Sequence, residues 1–347
     1  MWVPEAFLEN LQLVHPQAFY QCVDGSVIHD WKHWLGTKVM KLDKPVYVFV
    51  NAAAGQAMTM GKDRVREAVE SVFGQDVVLF IEDAPSLFDH LCDVMAADRP
   101  DTIIVGGGDG TISSAAKLAL KHNVTLGVLP LGTMNLFARA LGIPMDFQDA
   151  LSALASARAG VADVGYVNGE AFFNHVSVGI HPRLIKLRDE LPYDSQLSKI
   201  ASGAKALVRA SRTMQSYDIQ FEGEFDTFSA DTSLAVVAVN PIPNALGQLP
   251  FRPGQRFGQL GLYVWSGSKD GDNDIVPVVA DLLLGKWSDS SNAVHHRSSS
   301  VTLLADCNFR ASIDGEVTMV SSPVNCTIEP GALSVLLPGT PVAGVEP

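Results

Sequence analysis

From residue 45 to about residue 130, short apolar runs alternate with amphipathic segments, and this pattern is compatible with few folds. The run Val46–Val50 is wholly apolar, as expected of a strand that is covered on both faces. Apolar residues then recur at i, i+3, i+4 and i+7 from Val65, which predicts a helix. Strand and helix alternating in this way predict a parallel sheet with right-handed crossovers. Further strands are predicted at 77–81, 102–105 and 125–129.

After about residue 160 the pattern changes to short β-rich runs separated by Gly, Pro, Asp and Asn. Such runs are typical of a mainly antiparallel β domain, and Phe221–Phe225 has the composition of a hairpin turn. The predicted fold class is therefore an α/β N-terminal domain with a parallel sheet and a mainly antiparallel β C-terminal domain, with a cleft between them. The predicted boundaries are an N-terminal extension at 1–44, an α/β domain at 45–160 that residues 325–340 complete, and a β-rich domain at 161–324, with a helical segment at roughly 182–214.

The composition excludes several classes of protein. Of the 347 residues, 47% are hydrophobic and 18% charged, as in globular proteins with a sizeable core. The formal net charge of −13 argues against a nucleic-acid partner, which needs a clustered basic surface. The four cysteines lie far apart, so neither a disulfide framework nor a zinc site is expected. We recognise no membrane span and no signal peptide, and therefore expect a cytoplasmic protein.

The predicted strand at 102–105 runs directly into the sequence Gly106-Gly107-Gly108-Asp109-Gly110-Thr111. Glycines at the end of a parallel strand let the backbone turn tightly and approach a ligand closely. The helix that follows presents free N–H groups and a partial positive charge at its N terminus, which suits an anion. We therefore predict that this loop binds phosphate. It matches neither the GxGxxG fingerprint nor the GxxxxGK[ST] P-loop.

Two further motifs follow the glycine loop. The sequence LPLGTMNLFAR begins at Leu129, and in it Gly132 helps to end a strand in a turn, Thr133 offers a hydroxyl group and Asn135 can cap a helix. The sequence SIDGE begins at Ser312. The three motifs, in this order, resemble those of the diacylglycerol kinase catalytic-domain family, which includes bacterial diacylglycerol kinases and sphingosine kinase-like lipid kinases. This resemblance covers about residues 45–340.

The resemblance implies an ATP-dependent lipid kinase that transfers the γ-phosphoryl group to a diacylglycerol-like or sphingoid hydroxyl with Mg²⁺. It implies Glu316 as the proton acceptor, with Asp109 and Asp314 organising metal and substrate, while the identity of the general base stays open. Asp109 is the candidate metal ligand, through the Mg²⁺ of ATP. The candidate nucleotide-binding residues are Asn51, Gly106, Gly107, Gly108, Asp109, Gly110, Thr111, Gly132, Thr133 and Asn135.

Some residues depart from the family pattern. The first strand leads into Asn51-Ala52-Ala53-Ala54-Gly55, where the family usually has Asn-Pro-x-Ser/Ala-Gly. After the glycine loop, Ile112-Ser113-Ser114 replaces the LNE sequence of many members. These departures leave open a non-catalytic nucleotide-binding regulator of the same fold, and the shared glycine loop leaves open an NAD kinase-like small-molecule kinase.

The segment 182–214 has seven basic and three acidic residues in an otherwise acidic chain. An apolar stripe among the basic residues suits a helix at a lipid interface, and a core-packed helix with a solvated basic face fits equally well. Peripheral membrane contact through this segment is thus left open, as are a homodimer and the identity of the lipid acceptor.

Overall fold

The computed structural model describes residues 45–179, 216–239, 258–266 and 293–338. All described residues lie within a single compact unit of the chain. The extension predicted at 1–44 and the helical segment predicted at 182–214 lie outside the described residues.

The described part of the chain changes, as predicted, from alternating strands and helices to mainly strands. The helices are α1 (Gly55–Met60), α2 (Lys62–Phe73), α3 (Ala84–Ala97), α4 (Asp109–His122), α5 (Leu136–Ala140) and α6 (Phe147–Ala155). The strands are β1 (Val46–Asn51), β2 (Val77–Glu82), β3 (Thr102–Gly107), β4 (Thr125–Pro130), β5 (Arg158–Val167), β6 (Glu170–Phe172), β7 (His175–Gly179), β8 (Tyr217–Gly223), β9 (Phe228–Ala238), β10 (Leu260–Ser266), β11 (Ala293–Ser298), β12 (Ser300–Leu304), β13 (Phe309–Ile313), β14 (Glu316–Val320) and β15 (Val324–Leu337).

The first four strands form a parallel sheet in the order β4-β3-β1-β2. Val48, Phe49 and Val50 of β1 are fully buried, which explains why this strand lacks the alternation of a half-exposed one. On α2 the buried residues are Val65, Ala68 and Val69, the apolar face predicted from the helical spacing. The predicted parallel α/β domain is thus confirmed.

The remaining strands pair mainly antiparallel, which confirms the second half of the predicted fold class. The predicted hairpin is present, since β8 and β9 pair antiparallel and Phe221 lies opposite Phe228. The long strand β15 joins the two parts, because it pairs antiparallel with β5 and β12 and parallel with β4.

Two clusters of buried apolar residues stabilise the described fold. One lies around the parallel sheet and includes Leu333, Val335 and Leu336 of β15. The other lies among the antiparallel strands and includes Phe221 and Phe309. Among the described segments, no helix combines the length and the apolarity that crossing a bilayer requires.

Candidate active site

Three turns that contain predicted site residues lie at one edge of the parallel sheet. β1 ends at Asn51, β3 at Gly107 and β4 at Pro130. These strands are neighbours, and Gly106 pairs with both Val50 and Leu129. Because the strands are parallel, their carboxyl ends meet at the same edge, which is where open α/β sheets bind their ligands.

The glycine loop and the turn after β4 approach each other so closely that Gly132 has no room for a side chain. A Cβ atom on Gly132 would lie 2.6 Å from the Cα atom of Gly108. The backbone N–H of Leu131 donates to the carbonyl of Gly107 at 3.0 Å, which ties the two segments together. Glycine is therefore required at this contact, for reasons of space rather than of backbone conformation.

The N terminus of α4 lies directly in this loop. Gly108 is its N-cap residue, and no side chain caps the helix there. The first N–H groups of a helix have no partner within the helix, so those of α4 are suited to an anion. Gly110 is exposed, and a Cβ atom there would meet nothing within 4 Å. The space in front of this helix start is therefore open.

Asp109 fastens the glycine loop to the turn after β4. Its carboxylate accepts hydrogen bonds from the backbone N–H groups of Asn135, at 3.0 Å, and Leu136, at 2.6 Å. Burial raises the pKa of the Asp109 carboxyl group above its usual range, the two N–H donors oppose this, and the charge of Asp314 adds to it. Asp109 therefore caps α5 from another helix, and it lies near enough to Asp314 for the two charges to interact.

The side chain of Asn135 does not cap a helix, contrary to the sequence-based expectation. It is the N-cap residue of α5, but its side chain makes no capping hydrogen bond. Instead, its Oδ1 accepts the N–H of Gly132 at 2.8 Å and its Nδ2 donates to the carbonyl of Gly132 at 2.9 Å. The backbone φ of Asn135 is 51°, which asparagine adopts more readily than most residues. Asn135 thus closes the turn that exposes Thr133.

The turn after β1 is bonded to the other two turns. Asn51 Nδ2 donates to Thr111 Oγ1 at 2.9 Å, so these two predicted nucleotide-binding residues lie together. Gln56, which the sequence analysis missed, donates from its backbone N–H to the carbonyl of Leu131 and from Nε2 to that of Pro130, both at 3.1 Å. Its only sequence signal was an amide side chain directly after a turn that follows a strand.

Asp314 lies at the start of the turn between β13 and β14 and is buried. Its carboxylate accepts the backbone N–H groups of Phe173, Asn174 and His175 at 2.8, 2.8 and 3.1 Å. It also accepts the hydroxyl group of Ser113, in α4, at 2.5 Å. Burial raises the pKa of Asp314, although all four donors favour its ionised form. Asp314 therefore connects the β13–β14 hairpin to the helix that begins in the glycine loop.

Glu316 and His175 both lie close to Asp314 in the fold. Glu316 begins β14 and is exposed to solvent. His175, which the sequence analysis did not select, has a pKa lowered to about 4 because burial disfavours its charged form. Of these two residues, Glu316 is the more exposed, which suits a group that exchanges a proton with solvent or substrate.

The described residues contain no group of three or more His, Cys, Asp or Glu side chains that could hold a metal ion. Mg²⁺ bound with a nucleotide needs only one or two protein carboxylates, because phosphate oxygens and water complete its coordination. Each oxygen of Asp109 accepts one N–H group and retains further lone pairs. Asp109 therefore fits the predicted role of ligand to a nucleotide-bound Mg²⁺.

Comparison with known proteins points to one family. Residues 45–167 match the model of the diacylglycerol kinase catalytic domain. A relative from Staphylococcus aureus strain MRSA252, "Putative lipid kinase SAR0780", is 22% identical over 289 residues, which are 80% of this chain and 92% of the relative. Another, from strain JH9 and named in the same terms, is 24% identical over 243 residues, or 68% and 77% of the two chains.

Solved structures share the fold at low sequence identity. A diacylglycerol kinase from Bacillus anthracis strain Sterne superimposes with a TM-score of 0.61 at 18% identity, over 85% of this chain and 97% of the other. A second structure from the same strain has a TM-score of 0.64 at 20% identity, over 86% and 98%. At this sequence identity, the structural similarity establishes only the fold. The reaction has to be inferred from the residues of the site.

Proposed function

Over residues 45–167 the chain belongs to the diacylglycerol kinase catalytic-domain family, and we propose that it transfers the γ-phosphoryl group of ATP to the hydroxyl group of a lipid. The observation that supports this most directly is the contact of Gly108 with Gly132. It places the uncapped N terminus of α4 beside a second glycine turn, and together they offer backbone N–H groups to a chain of phosphates.

In this proposal the residues of the three turns bind and align the nucleotide. The N–H groups at Gly110 and Thr111 are directed by the helix start toward the phosphates. Asn51 fixes the side chain of Thr111, and Asp109 holds the second turn in place while one of its oxygens binds the metal. When bound, Mg²⁺ neutralises charge on the phosphates.

We assign the proton acceptor to Glu316 and a positioning role to Asp314. Four donors already engage the carboxylate of Asp314, so little of its capacity remains for substrate. Glu316 follows two residues later, on the far side of the turn that Asp314 anchors, and its side chain is exposed. In this scheme Asp314 fixes the hairpin and Glu316 takes the proton from the acceptor hydroxyl.

The test is a labelled-ATP assay that offers diacylglycerol, ceramide, a sphingoid base and NAD⁺ in parallel. We expect label in a lipid product. Glu316→Gln should lower kcat by about 100-fold or more, since general-base assistance typically contributes about 10²–10⁴-fold, while nucleotide affinity stays unchanged. Glu67→Gln, an exposed change on α2, is the matched control and should leave kcat unaltered.

The other outcomes distinguish the alternatives. Label in NAD⁺ alone would replace the lipid kinase with a small-molecule kinase. Nucleotide binding without transfer to any acceptor would support a non-catalytic regulator, for which the engagement of Asp314 by four hydrogen-bond donors is the favouring observation. Full activity of Glu316→Gln would place the general base elsewhere.

A further inference from the structure

Helix α4 connects the glycine loop to the hairpin that presents Glu316. Its N terminus lies in the loop, and Ser113 follows Thr111 by two residues within the same helix. Ser113 is only 8% exposed, and its Oγ donates to a carboxylate oxygen of Asp314 at 2.5 Å. A buried hydrogen bond thus joins the helix that offers N–H groups to phosphate with the turn that precedes Glu316.

Ser113 differs from the other described donors to Asp314 because it donates from a side chain. The others are the backbone N–H groups of Phe173, Asn174 and His175. These three donors come from one segment, which begins directly after β6 and ends at the first residue of β7. Among the four donors, Ser113 is therefore the one that ties Asp314 to the phosphate-binding part of the chain.

The turn between β13 and β14 transmits the position of Asp314 to Glu316. Ile313 pairs directly with Glu316, so only two residues form the turn. These residues, Asp314 and Gly315, have φ values of 49° and 96°, as in the tight two-residue turns of hairpins. The N–H of Asp314 also donates to the carbonyl of His175 at 3.0 Å. Such a turn has little freedom to adjust, so a displacement of Asp314 also displaces Glu316.

A second contact on the same face of α4 provides a comparison. Lys117 lies one turn after Ser113, and its Nζ donates to Glu170 Oε1, at the start of β6, at 2.7 Å. The side chains of this pair are 36% and 56% exposed. Exposed ion pairs contribute little to stability, whereas a hydrogen bond from a buried hydroxyl group to a buried carboxylate is strong. The Ser113 contact is therefore the one that can fix the hairpin against α4.

Position 113 is also one of the departures from the family pattern. Ile112-Ser113-Ser114 replaces the LNE sequence of many members, and this loss of a carboxylate is among the reasons that a non-catalytic protein stays open. The structure gives the serine at position 113 a partner, Asp314, in the hairpin of the proposed base. The replacement therefore provides a polar link between α4 and that hairpin.

Resting on the proposed function, we infer that Ser113 is a positioning residue for phosphoryl transfer. Its hydrogen bond to Asp314 holds the β13–β14 hairpin against the helix whose N terminus binds the phosphates. The bond thereby fixes the distance between Glu316, which takes the proton of the acceptor hydroxyl group, and the phosphoryl group that this hydroxyl attacks. Ser113 exchanges no proton with substrate, because its own hydroxyl hydrogen is bonded to Asp314.

The test measures kcat and the KM of ATP for Ser113→Ala, with 1,2-dioleoylglycerol, ceramide and sphingosine offered in mixed micelles. We expect kcat with the best acceptor to fall about tenfold to a hundredfold, the effect of a small misplacement of a catalytic group. The KM of ATP should stay within about twofold of the wild type, because backbone N–H groups bind the phosphates. Ser113→Thr, which retains the hydroxyl group, should recover most of the lost kcat.

Lys117→Met is the matched control, because it removes the other side-chain contact from this face of α4. Its kcat should stay within about twofold of the wild type, as expected for an exposed ion pair. Should Ser113→Ala show no cooperative thermal transition, Ser113→Cys takes its place, since a thiol is a weaker hydrogen-bond donor of similar size. Its kcat should again be lower than that of the wild type, and an unaltered kcat would overturn the inference.

A double-mutant cycle with Glu316→Gln separates positioning from a general structural effect. In Glu316→Gln the carboxylate that Ser113 positions is absent, so adding Ser113→Ala should change kcat by less than about twofold. If Ser113 acted independently of Glu316, the two losses would multiply. Multiplied losses, a kcat of Ser113→Ala within about twofold of the wild type, or no recovery in Ser113→Thr would overturn the role of Ser113.

The wild-type protein shows which of the two proposals fails. A wild type that phosphorylates a lipid, together with an unaltered kcat in Ser113→Ala, rejects the role of Ser113 alone. A wild type that transfers label to none of the three lipids rejects the proposed function, and the role of Ser113 with it.

Discussion

Asp314 and Glu316 are two residues apart, and the structure gives them opposite surroundings. Asp314 has a backbone φ of 49° and a buried carboxylate that accepts four hydrogen bonds. Glu316 is exposed at the start of an edge strand. The residue types alone make both plausible acids or bases. The hydrogen-bond donors to Asp314, which lie far away in the sequence, are what separate this positioning residue from the exposed Glu316.

The first prediction is that Asp314→Asn destabilises the protein. The amide would retain one acceptor oxygen and turn an NH₂ donor toward backbone N–H donors, leaving buried donors unsatisfied. We expect the free energy of unfolding to fall by about 2–4 kcal/mol, since hydrogen bonds to a charged group are worth about 1.5–3 kcal/mol each. Urea unfolding measures this. Glu316→Gln should change the same quantity by less than about 0.5 kcal/mol, as exposed substitutions usually do; equal losses would contradict the division of roles.

The second prediction concerns pH and His175, whose pKa burial lowers from 6.5 to about 4. Between these values the unfolded chain binds a proton that the folded chain does not, so stability rises with pH. The stabilising contribution is complete above about pH 6.5 and is lost as pH falls toward 4, by up to about 3 kcal/mol. Urea unfolding at pH 7 and pH 4.5 should show a smaller difference for His175→Gln than for the wild type. Identical pH dependence in both proteins would show that His175 is not responsible.

Among the strands, those with a strong hydrophobic pattern could be predicted from the sequence, and those with a weak pattern could not. β1 to β4 are continuous apolar runs, and the sequence located each of them to within a residue or two. β5 was missed because Gly160, Asp163 and Gly165 break its pattern. It is a strand nonetheless because β15 pairs along nearly its whole length. β14 was also missed; its first four residues are all exposed, so the strand has no buried face.

Prediction from sequence has the same limit for the candidate site as for the strands. Its glycines and turn residues follow from local sequence, because phosphate loops and turns are local structures. The hydrogen bonds from Asn135 and Leu136 to Asp109, by contrast, span 26 and 27 residues. The sequence assigned the capping of α5 to Asn135, and the structure assigns it to Asp109, because only tertiary packing brings α4 and α5 together.

The third prediction tests the contact between the two glycine turns. In Gly132→Ala the new Cβ would lie 2.6 Å from Gly108, so the turns must separate. We expect a loss of stability of about 1–3 kcal/mol, as for overpacking in general. Nucleotide affinity should fall about tenfold or more, the effect of losing one charge-assisted hydrogen bond. Calorimetric titration with a non-hydrolysable ATP analogue measures the affinity.

Gly110→Ala is the matched control, because a Cβ atom there meets nothing within 4 Å in the absence of ligand. Its stability should stay equal or rise by about 0.4–1 kcal/mol. Its nucleotide affinity should nevertheless fall, since the phosphates would lie against this position. Unchanged affinity in both variants would place the phosphates elsewhere on the protein.

For the molecule as a whole, β15 makes the two halves of the described fold depend on each other. Leu333, Val335 and Leu336 come from the C-terminal part of the chain, yet each is at most 1% exposed within the cluster around the parallel sheet. Val335 lies opposite Leu126 of β4, in the position of the next strand of that sheet. The segment 45–167, which matches the kinase family by sequence, therefore lacks part of its own core.

The last prediction is that the fragment 45–167 does not fold by itself, whereas the fragment 39–338 does. Burying a Val or Leu side chain contributes about 1.5–3 kcal/mol, so the three missing residues represent much of the roughly 5–15 kcal/mol that keeps a domain folded. Without β15, β4 would also present an unpaired apolar edge, which favours aggregation. Thermal unfolding followed by circular dichroism, with size-exclusion chromatography, should show a single transition for 39–338 and none for 45–167. A monomeric 45–167 with a cooperative transition would show that the parallel sheet is complete without β15.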